Sequence, residues 1–268
     1  MAAPHEAAAV SDNTQALRAL ASEVAAGMGV RVHCSAASDD EPPPAGSKLV
    51  HFIRHGEGTH NLAQREWKAR PEYDGKSEPY TVDNDPDGRY GDAELNETGR
   101  AQAVQLQART APLSPELLVV SPMRRATLTG LLAFEAHIAS ASAGAAALPV
   151  LANELCHERA GRHTCDKRLS RAELAKLYPA VDYSLIEAED DPYWGDGVTR
   201  EPWLGVATRA GRLAEWLLAR PESRVAVAAH SAFLLALFNA ALDCDHEELR
   251  AWFGTGEMRT VLLTPVAA

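Results

Sequence analysis

The sequence has 268 residues, of which 26 are Lys or Arg and 37 are Asp or Glu, so its formal net charge at pH 7 is −11. With 46% hydrophobic and 24% charged residues, the composition excludes collagen-like, wholly disordered and disulfide-scaffold classes. The excess of acidic residues argues against binding nucleic acid or an anionic membrane through the overall electrostatic field of the protein, because like charges repel. We therefore expect neither partner, and any anionic ligand must be bound by local cations.

The four cysteines lie far apart and show no Cys-x-x-Cys spacing, a pattern typical of reduced intracellular thiols; they are Cys34, Cys156, Cys165 and Cys244. The first ten residues lack the basic and apolar regions of a secretory signal. The most apolar run, residues 225–242, contains polar residues and is shorter than the roughly 20 apolar residues of a membrane helix. A cytoplasmic location is predicted, and import into an organelle has little support.

The first 47 residues are predicted to be an N-terminal extension. Apolar residues recur at helical spacing between Ser11 and Met28, which predicts a helix. Residues 35–47 follow, and their acidic residues and run of three prolines are typical of a linker. We expect residues 1–47 to be mobile or loosely docked, and residues 48–268 to form the main domain.

From Lys48 onward, apolar strands alternate with amphipathic helices. Strands are predicted at residues 48–54, 117–120, 224–229 and 258–263, and helices at residues 95–110, 123–138, 206–219 and 231–242, with a short helix after Ser170. The alternation predicts a three-layer α/β sandwich, in which helices cover both faces of a mostly parallel sheet. The long polar stretches at residues 66–92 and 152–203 are interpreted as insertions that roof the site.

Three of these strands are followed by basic side chains. Arg54 ends the first strand and His55 follows it, Arg124 and Arg125 lie just after the second, and His230 follows the third. The carboxyl ends of parallel strands meet at one edge of a sheet, where ligands bind. Arginine matches phosphate oxygens, and imidazole can attack phosphorus.

This arrangement predicts a phosphoryl-transfer site with His55 as the nucleophile. Arg54, Arg124 and a protonated His230 are expected to hold the phosphoryl oxygens, so no metal or other cofactor is expected. Arg125 is expected to point away, because adjacent residues at the start of a helix face different directions. The predicted partner is a small phosphorylated substrate.

The segment Arg54-His55-Gly56-Glu57, with Asn61 following, resembles the signature of the histidine phosphatase superfamily, in its phosphoglycerate mutase-like branch. The resemblance continues through residues 95–102, 121–129 and 227–231. It implies that His55 accepts the phosphoryl group, that Arg54, Arg124 and His230 form the pocket, and that an acid protonates the leaving oxygen. Asn61 is a further candidate, since an amide can donate a hydrogen bond to phosphate without adding charge.

Residues 154–168 resemble the proton-donor segment of plant and fungal phosphoglycerate mutase-like phosphatases, which places the acid at Glu158, with Glu154 as its competitor. Phosphoglycerate mutases proper carry Glu-Arg-His-Tyr-Gly around this acid, whereas Glu158 is followed by Arg159-Ala160-Gly161. A mutase must retain its product in a second anion site, and the sequence gives no sign of one. Hydrolysis of a small phosphate ester is therefore favoured.

Three alternatives stay open at this point. The chain could be a mutase that moves a phosphoryl group within one substrate, or a relative that binds a phosphorylated ligand without turning it over. The third is a zinc-binding module built between Cys156 and Cys165, although the spacing of its Cys, His and Asp residues suits no familiar zinc pattern.

Overall fold

The structure is a computed structural model that describes residues 4–139 and 147–266, with side chains described from residue 11 onward in the N-terminal helix. Its strands are β1 (Arg31–Ala36), β2 (Lys48–Arg54), β3 (Leu117–Val120), β4 (Val150–Ala152), β5 (Arg224–Ala229), β6 (Asp243–Cys244) and β7 (Met258–Val266). They form one sheet in the order β4-β3-β5-β2-β7-β1-β6. Strand β7 is antiparallel to β2 and β1, and the other neighbouring pairs are parallel.

Helices cover both faces of this sheet. They are α1 (Pro4–Gly27), α2 (Thr59–Lys68), α3 (Glu97–Gln105), α4 (Gln107–Thr110), α5 (Arg124–Ala133), α6 (Glu135–Ala139), α7 (Arg171–Leu177), α8 (Trp203–Ala219), α9 (Ser231–Ala236) and α10 (Glu247–Arg250). Alternate residues of β3 enter separate cores, Leu117 and Val119 on the α8 and α9 side, and Leu118 and Val120 on the other. Because alternate side chains of a strand point to opposite faces, the fold is the predicted three-layer α/β sandwich.

The fully buried strands fall where the sequence predicts them, and two predicted helix starts are confirmed by their caps. The Asn96 side chain accepts the Gly99 N–H at 2.9 Å. Ser170 and Glu173 form a reciprocal capping box at the start of α7. The helices predicted at residues 95–110 and 123–138 are interrupted, since α3 gives way to α4 at Leu106 and α5 to α6 at Phe134.

The N-terminal segment is part of the main sheet and core, so the prediction that it is loosely docked is wrong. Strand β1 lies between β7 and β6, with Arg31 opposite Val266 and Ala36 opposite Val261. On α1, Leu17 is fully buried in the core that also contains α8 and α9. The physical reason is the two-residue alternation of β1, which buries Val32 and Cys34. No helix within the described residues is long and apolar enough to cross a membrane.

The stability of the whole domain should therefore depend on Leu17. We expect Leu17→Ala to lower the free energy of unfolding by about 2–5 kcal/mol, because it removes buried methyl groups and leaves a cavity. The matched control is Leu177→Ala on α7, where the leucine is 51% exposed, and its effect should be within about 0.5 kcal/mol. Urea unfolding measures both variants, and equal small effects would contradict the integral role of α1.

Candidate active site

The strand-end histidines meet at the carboxyl edge of the sheet, as expected. His55 follows β2, and its backbone N–H donates to Ala229 O at 3.0 Å, which ties it to the end of β5. His230 follows directly after β5, and the two imidazole centroids are 5.2 Å apart. His55 is 1% exposed and His230 is fully buried. The two parallel strands thus place two imidazole rings side by side in a closed site.

The hydrogen bonds of His55 define its tautomer. Its Nδ1 lies 2.7 Å from the carbonyl oxygen of Gly56, and because a carbonyl only accepts, Nδ1 carries the hydrogen. Nε2 therefore presents its lone pair and accepts a long hydrogen bond from Arg125 Nε at 3.3 Å. Burial, followed by the charges of Arg125 and Arg54, holds the pKa of His55 well below its usual range. His55 is thus a neutral imidazole with an unprotonated nitrogen, which is the form that attacks phosphorus.

The arginine that meets this nitrogen is Arg125, so the prediction that Arg125 points away is wrong. Its guanidinium is buried and donates to Cys165 O at 2.6 Å and to Asp166 Oδ1 at 2.8 Å, besides its contact with His55. A buried, fixed guanidinium beside His55 can bind the oxygens of a phosphoryl group.

Arg124 is directed elsewhere, which corrects its expected place in the pocket. Its Nε donates to Asp92 O at 2.8 Å and its Nη2 to Gly91 O at 3.1 Å, while Nη1 forms an ion pair with Glu94. These partners hold the Arg124 guanidinium on the residue 91–94 segment, while Arg125 contacts His55.

The orientation of α5 explains why Arg125, and not Arg124, contacts His55. Thr129 lies one turn after Arg125 and is buried beside Gly130, whose Cα faces Val120 and Ala228 of the sheet. Arg124 instead shares the less buried face with Leu128. The small residues one turn after Arg125 are the signal in the sequence that could have identified the inward-facing arginine.

Arg54 and His230 complete the set of basic groups around His55. Arg54 Nη1 donates to Phe253 O at 2.6 Å, whereas its buried Nε has no partner among the described residues. Burial, then Arg125, lowers the pKa of Arg54 to about 10, so the guanidinium is still charged at pH 7.

His230 Nε2 lies 2.8 Å from Ser121 Oγ, and its buried Nδ1 has no partner in the part of the chain that the structure describes. Burial, Arg125 and His55 lower the pKa of His230 well below its usual range. The structure therefore holds a neutral His230, in contrast to the protonated form expected from the sequence.

Of the two candidate acids, Glu158 lies beside this pocket. Its carboxylate accepts the backbone N–H groups of Arg159 at 2.9 Å, Phe233 at 3.0 Å and Ala232 at 3.2 Å, and the Ser231 hydroxyl at 3.3 Å. Three of these donors belong to the first turn of α9, immediately after His230. The charge of Glu158 also acts on both Arg54 and Arg125.

Glu154, the competing acid, is bound elsewhere. Its two carboxylate oxygens accept from Arg168 at 2.9 and 3.0 Å. This bidentate pair favours Glu158 over Glu154 as the acid of the site, and a proton-donor role for Glu158 stays a prediction.

Asn61 and Glu57 hold the loop after β2. Asn61 Oδ1 accepts the Gly58 N–H at 2.9 Å, and the Glu57 carboxylate accepts from Asn96 at 2.7 Å and from Arg65. The predicted contact of Asn61 with phosphate stays a prediction.

Gly56 allows α3 to approach the same loop closely. A Cβ on Gly56 would lie 2.4 Å from the carbonyl oxygen of Gly99, so any larger residue would push α3 away. The position of the loop that carries His55 therefore depends on this backbone contact.

The insertions contribute a charged group that the sequence reasoning did not place in the site. Asp166 lies between two guanidinium groups, 2.8 Å from Arg125 Nη2 and 2.9 Å from Arg200 Nη1. Burial alone would raise the pKa of Asp166, but Arg200, His163 and Arg125 outweigh it and hold the pKa well below its usual range. Asp166, His163 and Arg200 lie in the long irregular insertion at residues 152–203, which has no hydrophobic periodicity. No sequence pattern could therefore have placed them in the site.

The zinc interpretation finds no matching cluster among the described residues. There, the only three side chains of the His, Cys, Asp and Glu types whose ligand atoms lie within 4.8 Å of one another are Glu154, His157 and Asp191. Arg168 already binds Glu154, and His157 Nε2 lies 3.0 Å from Asp191 Oδ2. The positive charges of neighbouring side chains thus satisfy both carboxylates without an ion.

Comparison with known proteins identifies the family of the chain. The model of the histidine phosphatase superfamily (branch 1) matches residues 81–262, more than half of the chain. A phosphoglycerate mutase-like protein of Arabidopsis thaliana is 31% identical over 243 residues, covering 81% of this chain and 84% of its own. A probable phosphatase of Schizosaccharomyces pombe is 28% identical over 189 residues, covering 68% and 74%.

Among solved structures, a mycobacterial glucosyl-3-phosphoglycerate phosphatase is similar with a TM-score of 0.46 and 22% identity, covering 80% of this chain and 92% of its own. The family match and the Arabidopsis relative show that the chain belongs to the histidine phosphatase superfamily, which confirms the resemblance stated from the sequence.

Two matched substitutions test which of the two neighbouring arginines, Arg124 or Arg125, acts in the site. We expect Arg125→Lys to lower kcat/KM for a phosphate ester at least about 100-fold, because a lysine cannot reproduce the guanidinium fork beside His55. Arg124→Lys makes the same chemical change one residue earlier and should lower kcat/KM less than about threefold. Steady-state kinetics and circular dichroism of both variants provide the test. A larger loss for Arg124→Lys, with both variants folded, would contradict the assignment.

Proposed function

We propose that the protein is a metal-independent phosphomonoesterase that hydrolyses a small phosphate ester through a phosphohistidine at His55. The observation that carries this proposal is the pair of contacts at His55: Nδ1–H donates to Gly56 O, and Nε2 presents its lone pair beside Arg125. The imidazole thus needs no base to remove a proton before it attacks.

In the first step, His55 Nε2 forms a bond to phosphorus while the bond from phosphorus to the leaving oxygen breaks. Arg125, the unpartnered Nε of Arg54 and Nδ1 of His230 bind the phosphoryl oxygens as charge shifts onto them. Glu158, in its protonated form, gives its proton to the leaving oxygen, so that an alcohol departs rather than an alkoxide.

In the second step, water attacks the phosphohistidine. The Glu158 carboxylate accepts a proton from the water as its oxygen bonds to phosphorus, and the bond from phosphorus to Nε2 breaks. Orthophosphate leaves, the lone pair returns to Nε2, and Glu158 is protonated again. The cycle closes with the side chains in their starting states and uses no metal.

Hydrolysis is favoured over mutase activity by the departure from the mutase pattern after Glu158, where Ala160 and Gly161 bring no polar side chain. The name of the Schizosaccharomyces pombe relative, a probable phosphatase, agrees with this choice. A small substrate is favoured because His55 is almost fully buried and segments of both insertions, at Tyr80 and Asp166, lie next to the site.

Phosphate release from p-nitrophenyl phosphate, measured with a chelator present, tests the proposal. We expect chelator-resistant hydrolysis by the unaltered protein and a loss of at least about 1,000-fold in His55→Asn, because the nucleophile is gone. The matched control is His246→Asn, an exposed histidine far along the chain, which should keep its activity.

Other outcomes identify the alternatives. Isomerised phosphate ester without free phosphate would indicate a mutase and contradict hydrolysis. Binding of a phosphate ester by calorimetry without any turnover would indicate a binding protein. Equal hydrolysis by the unaltered protein and His55→Asn would exclude His55 as the nucleophile.

A further inference from the structure

A third histidine, His60, lies next to the two strand-end histidines and has no role in the steps above. It belongs to the first turn of α2 and is 7% exposed. Neither of its ring nitrogens has a hydrogen-bond partner among the described residues, and Nδ1 is completely buried. The hydrogen-bonding capacity of this imidazole is therefore not used by the described part of the protein, which is rare for a buried side chain.

His60 lies between the reacting group and the first insertion. Its ring centroid is 5.8 Å from that of His55 and 5.9 Å from that of Tyr80. Tyr80 in turn packs edge-on against His163 at 5.0 Å, and His163 Nε2 lies 2.7 Å from Glu78 Oε2. One side of His60 thus faces His55, and the other faces side chains of the insertions.

The backbone holds the ring of His60 in this orientation. A Cβ on Gly58 would lie 2.6 Å from both Nδ1 and Cε1 of His60. The Nδ1–Cε1 edge is therefore packed against the Gly58 backbone, and Nε2 is the nitrogen left for a ligand.

The charge of His60 indicates what it can bind. Burial, followed by the positive charge of Arg125, lowers the pKa of His60 well below its usual range, so the ring is neutral at pH 7. A neutral imidazole offers one donor and one acceptor. The phosphoryl oxygens already have Arg125 and Arg54 as donors, whereas a hydroxyl group can pair with either form of the imidazole nitrogen.

We propose that His60 Nε2 forms a hydrogen bond with a hydroxyl group of the leaving alcohol, which makes phosphate monoesters of polyhydroxylated alcohols the preferred substrates. This inference rests on the proposed function, since it takes the leaving group to lie beside His55. His60 is thus a specificity-determining residue that touches the substrate but not the transferred phosphoryl group.

Glycerol 1-phosphate and propyl phosphate test this inference, because both carry a three-carbon chain and differ only in two hydroxyl groups. We expect the unaltered protein to favour glycerol 1-phosphate by at least about tenfold in kcat/KM. In His60→Phe, which keeps a buried ring without hydrogen-bonding atoms, the ratio should fall to about one. His60→Asn retains a donor and an acceptor and should restore much of the preference.

The matched control is His51→Phe, since His51 is also buried and also has an unpartnered Nε2, but lies in β2 with its Nδ1 2.9 Å from Thr260. Its substrate ratio should equal that of the unaltered protein. An unchanged ratio in His60→Phe, or no preference in the unaltered protein, would overturn the inference.

Calorimetric titration of the same two esters into His55→Asn separates this inference from the proposed function, because it needs no turnover. A binding preference of His55→Asn for glycerol 1-phosphate that disappears in His55→Asn/His60→Phe supports the role of His60. This holds even if the unaltered protein releases no phosphate, because the absence of phosphate release would contradict only the proposed function. Equal binding of the two esters to His55→Asn overturns the role of His60.

Discussion

The hydrogen bond from His55 Nδ1 to the carbonyl oxygen of Gly56, 2.7 Å long, determines which chemistry the site can perform. It places the ring hydrogen on the nitrogen away from Arg125 and leaves a lone pair on the other. The bond forms because Gly56 follows His55 in a loop fixed by the close approach of Gly99. Burial among cations then keeps the imidazole neutral. Backbone packing thus sets which nitrogen of His55 carries the hydrogen, and burial among cations sets the charge of the ring.

The second constraint is electrostatic and joins the insertion to the core of the site. Asp166 is buried between Arg125 and Arg200, and removing one partner of such a group leaves a charge without compensation in a dry interior. Arg125 therefore keeps its orientation only while the insertion is folded against the sheet. The irregular residues around Asp166 are part of the framework of the site, because they hold the guanidinium that contacts His55.

Much of the sheet follows from local sequence. Strands β2, β3 and β5 are runs of apolar residues buried on both faces, and such runs have few alternatives in a soluble protein. The rule that ligands meet the carboxyl ends of parallel strands then locates His55 and His230 before any coordinates are known. Strand β1 escaped detection because its polar residues alternate with Val32 and Cys34 next to a proline-rich linker.

The remaining differences between the sequence predictions and the structure depend on the rotation of α5 about its axis and on how loops close over the site. Arg124 and Arg125 are adjacent at the start of α5, and the choice of the inward arginine depends on which face of that helix packs on the sheet. Asp166 and His60 join the site only because separate loops fold over it, and no periodic pattern in the sequence encodes that closure. Tertiary packing decides the contacts of Asp166 and His60, so these two residues could be placed in the site only in three dimensions.

Trapping the phosphorylated protein tests the central claim most directly. The protein would be mixed with excess p-nitrophenyl phosphate, quenched in alkaline denaturant because phosphohistidine is labile in acid, and digested for mass spectrometry. We expect a phosphoryl group on the peptide that contains His55, attached to the imidazole and lost when the substrate is exhausted. Hydrolysis without any phosphorylated protein, or a phosphoryl group on a cysteine, serine or aspartate, would contradict it.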